Sequence, residues 1–289
     1  MAQSKLNIQW FPGHMTKAKR EMQSKLSLVD MVIELRDARI PNASKNPLID
    51  EIIQQKPRLI VLTKIDKAQS DMTKQWMKAL ENETTKVIGL NVLKDNCSKI
   101  ITQAVMELMK EKRDRQIRKG MNPRAVRCMV CGIPNVGKST LINRIASKKV
   151  LETGNRPGVT KNTRWVKVNK EIELLDTPGV LWPKFDDEEI GVLLAVTGAI
   201  RDQVLPLEEI AYFALKFMKE HFPRQLIEVY GIELVDNNYK QFLEIGRKKG
   251  FLIKGNEVDY NRTIETFLKD IRDNRFGPIT WEIYHEMCE

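Results

Sequence analysis

The sequence reads GIPNVGKS at residues 132–139, between a strand-like apolar run and a helical pattern. This is a full match to the phosphate-loop motif G-x-x-x-x-G-K-[ST], in the strand–loop–helix context that the motif requires. Gly132 and Gly137 allow the backbone to curl so that its N–H groups point at phosphate oxygens. Lys138 is expected to reach the β- and γ-phosphates, and Ser139 is expected to bind Mg²⁺. The stretch therefore predicts a nucleoside triphosphate site.

A second motif, DTPG, occupies residues 176–179 after another apolar run. A carboxylate at a strand end downstream of a phosphate loop is the usual place for a Mg²⁺-organising Asp, here Asp176. Gly179 can bring its N–H close to a γ-phosphate because it has no Cβ. The turn-rich residues 154–160 lie between the two motifs, and Thr160 is the expected switch hydroxyl for Mg²⁺, with a solvated loop residue as the alternative.

The base-reading motif, TKID at residues 63–66, lies before the phosphate loop rather than after it. The Asp66 carboxylate can accept hydrogen bonds from the N1–H and N2–H₂ groups of guanine, whereas adenine offers no such pair of donors. The Lys64 stem can pack along the base. Thr63 stands where Asn is usual, which weakens the match. No second [NT]-K-x-D follows residue 179, so the motif order predicts a circularly permuted GTP-binding domain.

All but one of the nucleotide-binding candidates lie in or beside these motifs, and the exception, Asn91, follows the apolar run near 86–90. The candidates are Thr63, Lys64, Asp66, Asn91, Asn135, Val136, Gly137, Lys138, Ser139, Thr140, Thr160 and Gly179. The Mg²⁺ candidates among the motif residues are Ser139, Thr160 and Asp176. The candidate catalytic residues are His14, Lys138 and Gly179.

The motif order, together with IQWFPGHM at residues 8–15 and DARIP at 37–41, resembles the circularly permuted YlqF/YawG family of GTPases over nearly the whole chain. The resemblance implies GTP hydrolysis coupled to late maturation of the large ribosomal subunit. It also implies a permuted G domain followed by a small helical RNA-binding domain. The expected partners are the large-subunit precursor, its rRNA and ribosomal proteins, with a monomer away from the ribosome.

Hydrolysis needs a group that orients the attacking water, and Ras-type enzymes use a Gln directly after D-x-x-G. Val180 and Leu181 follow DTPG here, and neither side chain can hydrogen-bond water. The resemblance points to His14 as the catalytic group, although a structural or RNA-contacting histidine is an equal alternative. It also points to K⁺ held by Asn135. We therefore expect slow turnover alone and stimulation by the ribosomal particle.

Charge supports a polyanionic partner, because the 289 residues carry a formal net charge of +10. Residues 1–200 hold 35 Lys and Arg against 22 Asp and Glu, whereas residues 201–289 hold 13 against 16. Two strongly basic runs, 107–127 and 144–170, each contain eight basic side chains. Either run could contact RNA, or could simply be a solvated surface.

Cysteine usage argues against a metal or redox centre. Cys128 and Cys131 are spaced as C-x-x-C, but no second Cys/His pair has metal-ligand spacing. We interpret them as core thiols of the strand that enters the phosphate loop. No disulfide framework and no apolar stretch long enough to span a bilayer are evident, so the expectation is a cytoplasmic protein without membrane contact.

Alternating strand and helix patterns over residues 1–185 predict an α/β domain with a mostly parallel sheet covered by helices on both faces. The predicted strands lie near 30–35, 58–62, 86–90, 127–131, 165–168 and 172–175. Residues 186–289 are expected to form a small all-α domain whose helices include 262–274 and 279–288, with Ile264, Phe267, Leu268 and Ile271 as a core stripe. This domain is the expected RNA-binding part.

Three other functions remain open at this stage. A GTP-regulated RNA-binding scaffold with little turnover would keep the same motifs. A phosphate-loop ATPase or kinase is disfavoured by Asp66. A GTPase acting on tRNA modification or at a membrane finds no supporting Cys or apolar segment.

Overall fold

The computed structural model describes residues 13–53, 56–146, 164–177, 179, 181, 187–200, 202 and 205–284, with the backbone alone for residues 13–18. Its described residues divide into two compact units. The sheet unit contains residues 13–181 together with 280–284, and the helical unit contains residues 187–279.

The sheet unit is built on six strands in the order β3-β2-β1-β4-β6-β5. All neighbours are parallel except β5 and β6. The strands are β1 (Met31–Asp37), β2 (Arg58–Thr63), β3 (Thr85–Leu90), β4 (Val126–Gly132), β5 (Arg164–Lys167) and β6 (Ile172–Asp176). Strands of a covered parallel sheet are buried on both faces and therefore read as continuous apolar runs. The sequence predicted all six strands, and this reason holds for the inner ones, whereas the edge strand β5 has only Val166 buried.

Helices complete the sheet unit, and they are α1 (Gly13–Lys25), α2 (Pro47–Ile53), α3 (Ser70–Leu80), α4 (Cys97–Leu108), α5 (Lys110–Arg118) and α6 (Lys138–Ile145). One core cluster joins Met22 and Ile49 to Met129 of the sheet. Another joins Ile60, Leu62 and Val87 to the chain around Ala68. The expected α/β architecture is confirmed.

Strand direction decides where the motifs meet. The carboxyl ends of parallel neighbours lie at one edge of a sheet, which is where α/β proteins bind ligands. Asp37 pairs in register with Thr63 across β1 and β2. Leu35 pairs with Gly132 across β1 and β4. The base-reading motif, the phosphate loop and DTPG therefore all begin at this edge.

The helical unit contains α7 (Glu188–Val196), α8 (Leu207–His221), α9 (Pro223–Tyr230), α10 (Asn238–Lys248) and α11 (Tyr260–Arg272). A short hairpin, β7 (Leu252–Ile253) with β8 (Glu257–Val258), separates the last two helices and was not predicted. The predicted core stripe of α11 is confirmed, because its four apolar residues, Ile264, Phe267, Leu268 and Ile271, are all buried.

The predicted helix over 279–288 is wrong for residues 280–284, which are not helical. These residues belong to the sheet unit, and their backbone donors have tertiary partners. Trp281 N donates to Arg39 O at 2.8 Å, and Tyr284 N donates to Met72 Sδ at 3.2 Å. A helix that began at residue 279 would need the Tyr284 N–H for its own ladder, but this group has a tertiary acceptor instead. Among the described residues, no helix is both long and apolar enough to cross a membrane.

Candidate nucleotide site

The phosphate loop connects β4 to α6 with a backbone that only certain residues allow. Gly132 has φ 154° and Gly137 has φ 100°. A Cβ on Gly132 would lie 2.8 Å from the Leu35 carbonyl oxygen, so a larger residue would disrupt the β1–β4 contact. Asn135 also adopts a left-handed conformation, with φ 58°. The amino terminus of α6 begins at Lys138 and carries the partial positive charge that favours an anion.

Lys138 and Asp176 form a buried ion pair at this loop. Lys138 Nζ lies 2.5 Å from Asp176 Oδ1, and the two side chains are 6% and 0% exposed. Asp176 Oδ2 is buried without a hydrogen-bond partner in the part of the chain that the structure describes. An ionised carboxylate oxygen left unpaired in the interior is costly, and a cation or its bound water would satisfy it. The donor set at this position therefore fits Mg²⁺.

Other phosphate-loop candidates lie where a ligand could reach them. Ser139 and Thr140, in the first turn of α6, are partly exposed, as is Asn135. The side chain of Val136 is buried. Thr160, the expected switch residue, lies outside the described residues.

DTPG lies against the phosphate loop. Thr177 Oγ1 donates to Val130 O of β4 at 2.7 Å, which fixes the end of β6. A Cβ on Gly179 would lie 3.4 Å from Pro134 Cα. The glycine backbone is therefore packed closely against the loop that would hold the phosphates. Leu181 is buried.

Thr63 connects the base-reading motif to the phosphate loop. Its Oγ1 lies 2.7 Å from Val136 O and 3.1 Å from Arg36 O. Thr63 itself is buried. The Thr at this position, where Asn is usual, therefore forms a side-chain hydrogen bond between the two loops.

Asp66 is exposed in a short 3-10 turn over Ile65–Lys67. Lys64, with φ 58°, donates from Nζ to Asp37 Oδ2 at 2.9 Å. Arg39 also binds Asp37, through Nε at 3.0 Å and Nη2 at 2.7 Å. Burial alone would raise the pKa of Asp37, but the charges of Arg39 and Lys64 outweigh it and hold that pKa well below its ordinary value.

Asn91 directly follows β3 and shapes a turn. Its Oδ1 accepts from Leu93 N at 3.1 Å and Lys94 N at 3.2 Å, while its N–H donates to Asp95 Oδ2 at 2.7 Å. The side-chain acceptor is therefore used to build the loop.

His14 lies in the first turn of α1, where the structure describes the backbone alone.

The site includes residues that the sequence analysis did not select. Asp37 and Arg39 were noted only as part of DARIP, yet Asp37 binds Lys64 and Arg39 binds Asp37. Their position could have been inferred, because adjacent parallel strands bring Asp37 beside Thr63. For residues 280–284 the sequence predicted only a helix, because their partners are distant along the chain.

The cysteine interpretation is supported. Cys128 and Cys131 are buried and free, and burial raises the pKa of both thiols. A protonated thiol is a poor nucleophile and a poor metal ligand. Within the described ranges, no group of three or more His, Cys, Asp or Glu residues could hold a metal ion.

Comparison with solved structures agrees with this architecture. A structure described as GNP-bound YlqF from T. maritima matches with a TM-score of 0.63 and 25% identity, over 92% of this chain and 97% of that one. The GDP-bound form matches with a TM-score of 0.66 and 24% identity, over 91% and 98%. A family profile described as 50S ribosome-binding GTPase matches residues 127–248, starting in the strand that enters the phosphate loop. The fold and motif order define a circularly permuted phosphate-loop GTPase.

Two relatives identify the family within this class of GTPases. Ribosome biogenesis GTPase A of Bacillus licheniformis is 48% identical over 97% of this chain and 99% of that protein. Mitochondrial ribosome-associated GTPase 1 of Mus musculus is 34% identical over 93% and 88%. The chain belongs to the ribosome biogenesis GTPase A family, and its enzymatic activity is GTP hydrolysis.

Proposed function

We propose that this GTPase binds the precursor of the large ribosomal subunit, contacts its rRNA and ribosomal proteins, and couples GTP hydrolysis to late maturation and release. The observation that carries the proposal is the similarity to a protein named ribosome biogenesis GTPase A, which is 48% identical over 97% of this chain. The profile described as 50S ribosome-binding GTPase supports the large subunit as the partner. Away from the ribosome we expect a cytoplasmic monomer.

At the nucleotide, Asp66 reads guanine while Lys64 packs beside the base. The phosphate-loop N–H groups and Lys138 bind the phosphates, and Gly179 senses the γ-phosphate. Ser139, Thr160 and Asp176 would hold Mg²⁺, which neutralises charge on the β- and γ-oxygens when bound. The unpaired Asp176 Oδ2 supports this assignment. On nucleotide binding, Lys138 would exchange Asp176 for phosphate oxygens.

The attacking water needs a partner that the DTPG region does not supply. Leu181 is apolar and buried, which is consistent with no role in orienting water. His14 on α1, or K⁺ held by Asn135, would complete the site. Turnover is then slow alone and faster on the particle, because the particle orders the missing group.

Two surfaces of the sheet unit support RNA contact. Helix α5 buries none of its residues and carries five basic against two acidic side chains. A groove of about 370 Å³ lies beside edge strand β5, lined by Leu28, Arg127, Trp165, Val166, Lys167 and Glu173. Trp165 is 40% exposed, and the Arg127 guanidinium carbon lies 5.1 Å from its ring centroid. Exposed aromatic rings beside basic side chains are typical stacking sites for unpaired bases.

The helical unit, residues 187–279, is proposed as a second RNA-binding part. Lys249 is used internally, 5.1 Å from the Tyr230 ring centroid and 3.8 Å from Asp270. Arg247 and Lys248, at the end of α10, are exposed. These two side chains are the stronger candidates for phosphate contact.

Nucleotide-dependent co-sedimentation with large-subunit precursors tests the proposal. We expect retention with a non-hydrolysable GTP analogue, release with GDP, and stimulated phosphate release on the particle. Equal binding in both states, or no stimulation, would contradict coupling. A GTP-regulated scaffold is the second candidate, favoured by the apolar Leu181. Little multiple-turnover phosphate release, with or without the particle, would favour the scaffold.

A further inference from the structure

Residues 280–284, here termed the brace, are fastened to the loop that follows β1. Trp281 N donates to Arg39 O at 2.8 Å. The two carboxylate oxygens of Glu282 accept from Asn42 N and Ala43 N, each at 2.7 Å. Hydrogen bonds to an ionised carboxylate are about twice as strong as neutral ones. The brace therefore fixes this loop with one neutral and two charge-assisted bonds.

The brace is also fastened to helix α3. Thr280 Oγ1 accepts from Gln69 N at 3.0 Å. The Glu282 carbonyl accepts from Trp76 Nε1 at 2.9 Å, and the Tyr284 and Trp76 ring centroids lie 5.2 Å apart in an edge-on arrangement. The start of α3 is thus held by the same five residues that hold the loop after β1.

Asp66 lies between these two attachments in the sequence, because the loop after β1 precedes it and helix α3 follows it. Gln69 lies three positions after Asp66 and Lys64 lies two positions before it. Lys64 is held by Asp37, which is held by Arg39, whose carbonyl accepts from the brace. The 3-10 turn that carries Asp66 is itself short and exposed. Its position therefore depends on what fixes its two ends.

We propose that the brace is a positioning element for guanine recognition, with Glu282 as its main contact. The inference rests on Asp66 reading the base, as proposed above. A carboxylate discriminates between bases only if its oxygens are held within hydrogen-bond reach of the donors. The brace acts through the two loops, and Ile279 joins it directly to the helical unit. It makes base recognition dependent on a segment outside all the nucleotide motifs.

The test compares GDP with inosine diphosphate, which lacks the 2-amino donor, by titration calorimetry on the full chain. We expect Glu282→Ala to lower the ratio of GDP to inosine diphosphate affinity roughly threefold to tenfold, because the Asp66 hydrogen bond is partly lost. Glu107→Ala is the matched control, since Glu107 forms a partly exposed ion pair with Lys86 elsewhere in the same unit. It should leave the ratio unchanged.

The outcomes separate this inference from the assignment of Asp66. Asp66→Ala should reduce the ratio by about tenfold or more. If Asp66→Ala reduces the ratio and Glu282→Ala does not, the positioning role is overturned while base reading stands. If Asp66→Ala leaves the ratio unchanged, the base-reading assignment itself fails. An equal loss of both affinities in Glu282→Ala, with a lower melting temperature, would mean that the brace only stabilises the fold.

Discussion

Thr63 Oγ1 lies 2.7 Å from the Val136 carbonyl oxygen, although the two residues are 73 positions apart. The contact joins the base-reading motif to the phosphate loop. The base-reading motif comes first in the chain, but the two motifs are in contact at the sheet edge. The hydroxyl of Thr63, which stands where Asn is usual, makes this contact.

Thr63→Val should remove this link while keeping the side-chain shape. The single hydroxyl proton, which Val136 O and Arg36 O can accept, would be lost, and we expect a loss of about 1–3 kcal/mol in the free energy of unfolding. GDP affinity should fall as well, because the two loops are no longer joined. Denaturant unfolding and GDP titration measure both effects. Thr63→Ser retains the hydroxyl and should behave like the natural protein; a similar loss in the serine variant would show that packing matters instead.

Asp176→Asn should weaken the effect of Mg²⁺ on nucleotide binding. The substitution keeps the size of the side chain but removes the charge that attracts the cation. We expect the gain in GTP-analogue affinity on adding Mg²⁺ to shrink by about tenfold or more. Melting temperature without nucleotide should also fall, because the buried Lys138 loses its counter-charge.

Asp71→Asn is the control for that experiment, since Asp71 is 92% exposed and pairs with Lys74 at the surface. Its Mg²⁺ response should equal that of the natural protein. A full Mg²⁺ response in Asp176→Asn would exclude Asp176 from the metal site.

His14→Ala should abolish particle-stimulated turnover while leaving GTP affinity intact, if the imidazole orients the water. Phosphate release with and without large-subunit precursors, alongside GTP titration, measures this. Stimulation that persists in the variant would remove His14 from the mechanism.

If Asn135 holds a K⁺ ion that takes part in hydrolysis, GTP turnover in K⁺ should exceed turnover in Na⁺. Equal rates in the two salts would count against a bound K⁺.

Trp165→Ala should weaken RNA binding without changing GDP affinity. Stacking of one base on an aromatic ring contributes about 1–3 kcal/mol. Fluorescence anisotropy with a short single-stranded RNA and co-sedimentation with precursors both report the loss. Trp165→Phe keeps an aromatic face and should retain most of the binding. Unchanged RNA affinity in the alanine variant, with weaker binding to the particle, would indicate a protein partner at this groove.

Much of the sheet unit could be predicted from local sequence, because its inner strands are covered on both faces and read as continuous apolar runs. The phosphate loop and DTPG were also predictable, since each follows such a run. Helix α7 was not predicted: residues 191–196 are all buried, so the helix has no polar face and no 3.6-residue period.

Long-range contacts account for the other gaps. Glu282 binds Asn42, 240 positions away, and nothing in the local sequence of either residue indicates the other. The apolar spacing near residue 280 favoured a helix, but hydrogen bonds to the sheet unit hold the segment in another conformation. The Asp37–Lys64 pair was within reach of sequence reasoning, because both residues follow from the pairing of β1 with β2.

The central claim is that Asp66, early in the chain, reads the base of a nucleotide whose phosphates lie at residues 132–139. The most direct measurement is competition of GTP, ATP and xanthosine triphosphate for the natural protein and for Asp66→Asn. Xanthine has an acceptor where guanine has its 2-amino donor, so an amide should prefer it. We predict that the natural protein binds GTP most tightly and that Asp66→Asn binds xanthosine triphosphate most tightly. Equal competition by ATP in the natural protein, or an unchanged preference for GTP in the variant, would contradict the account.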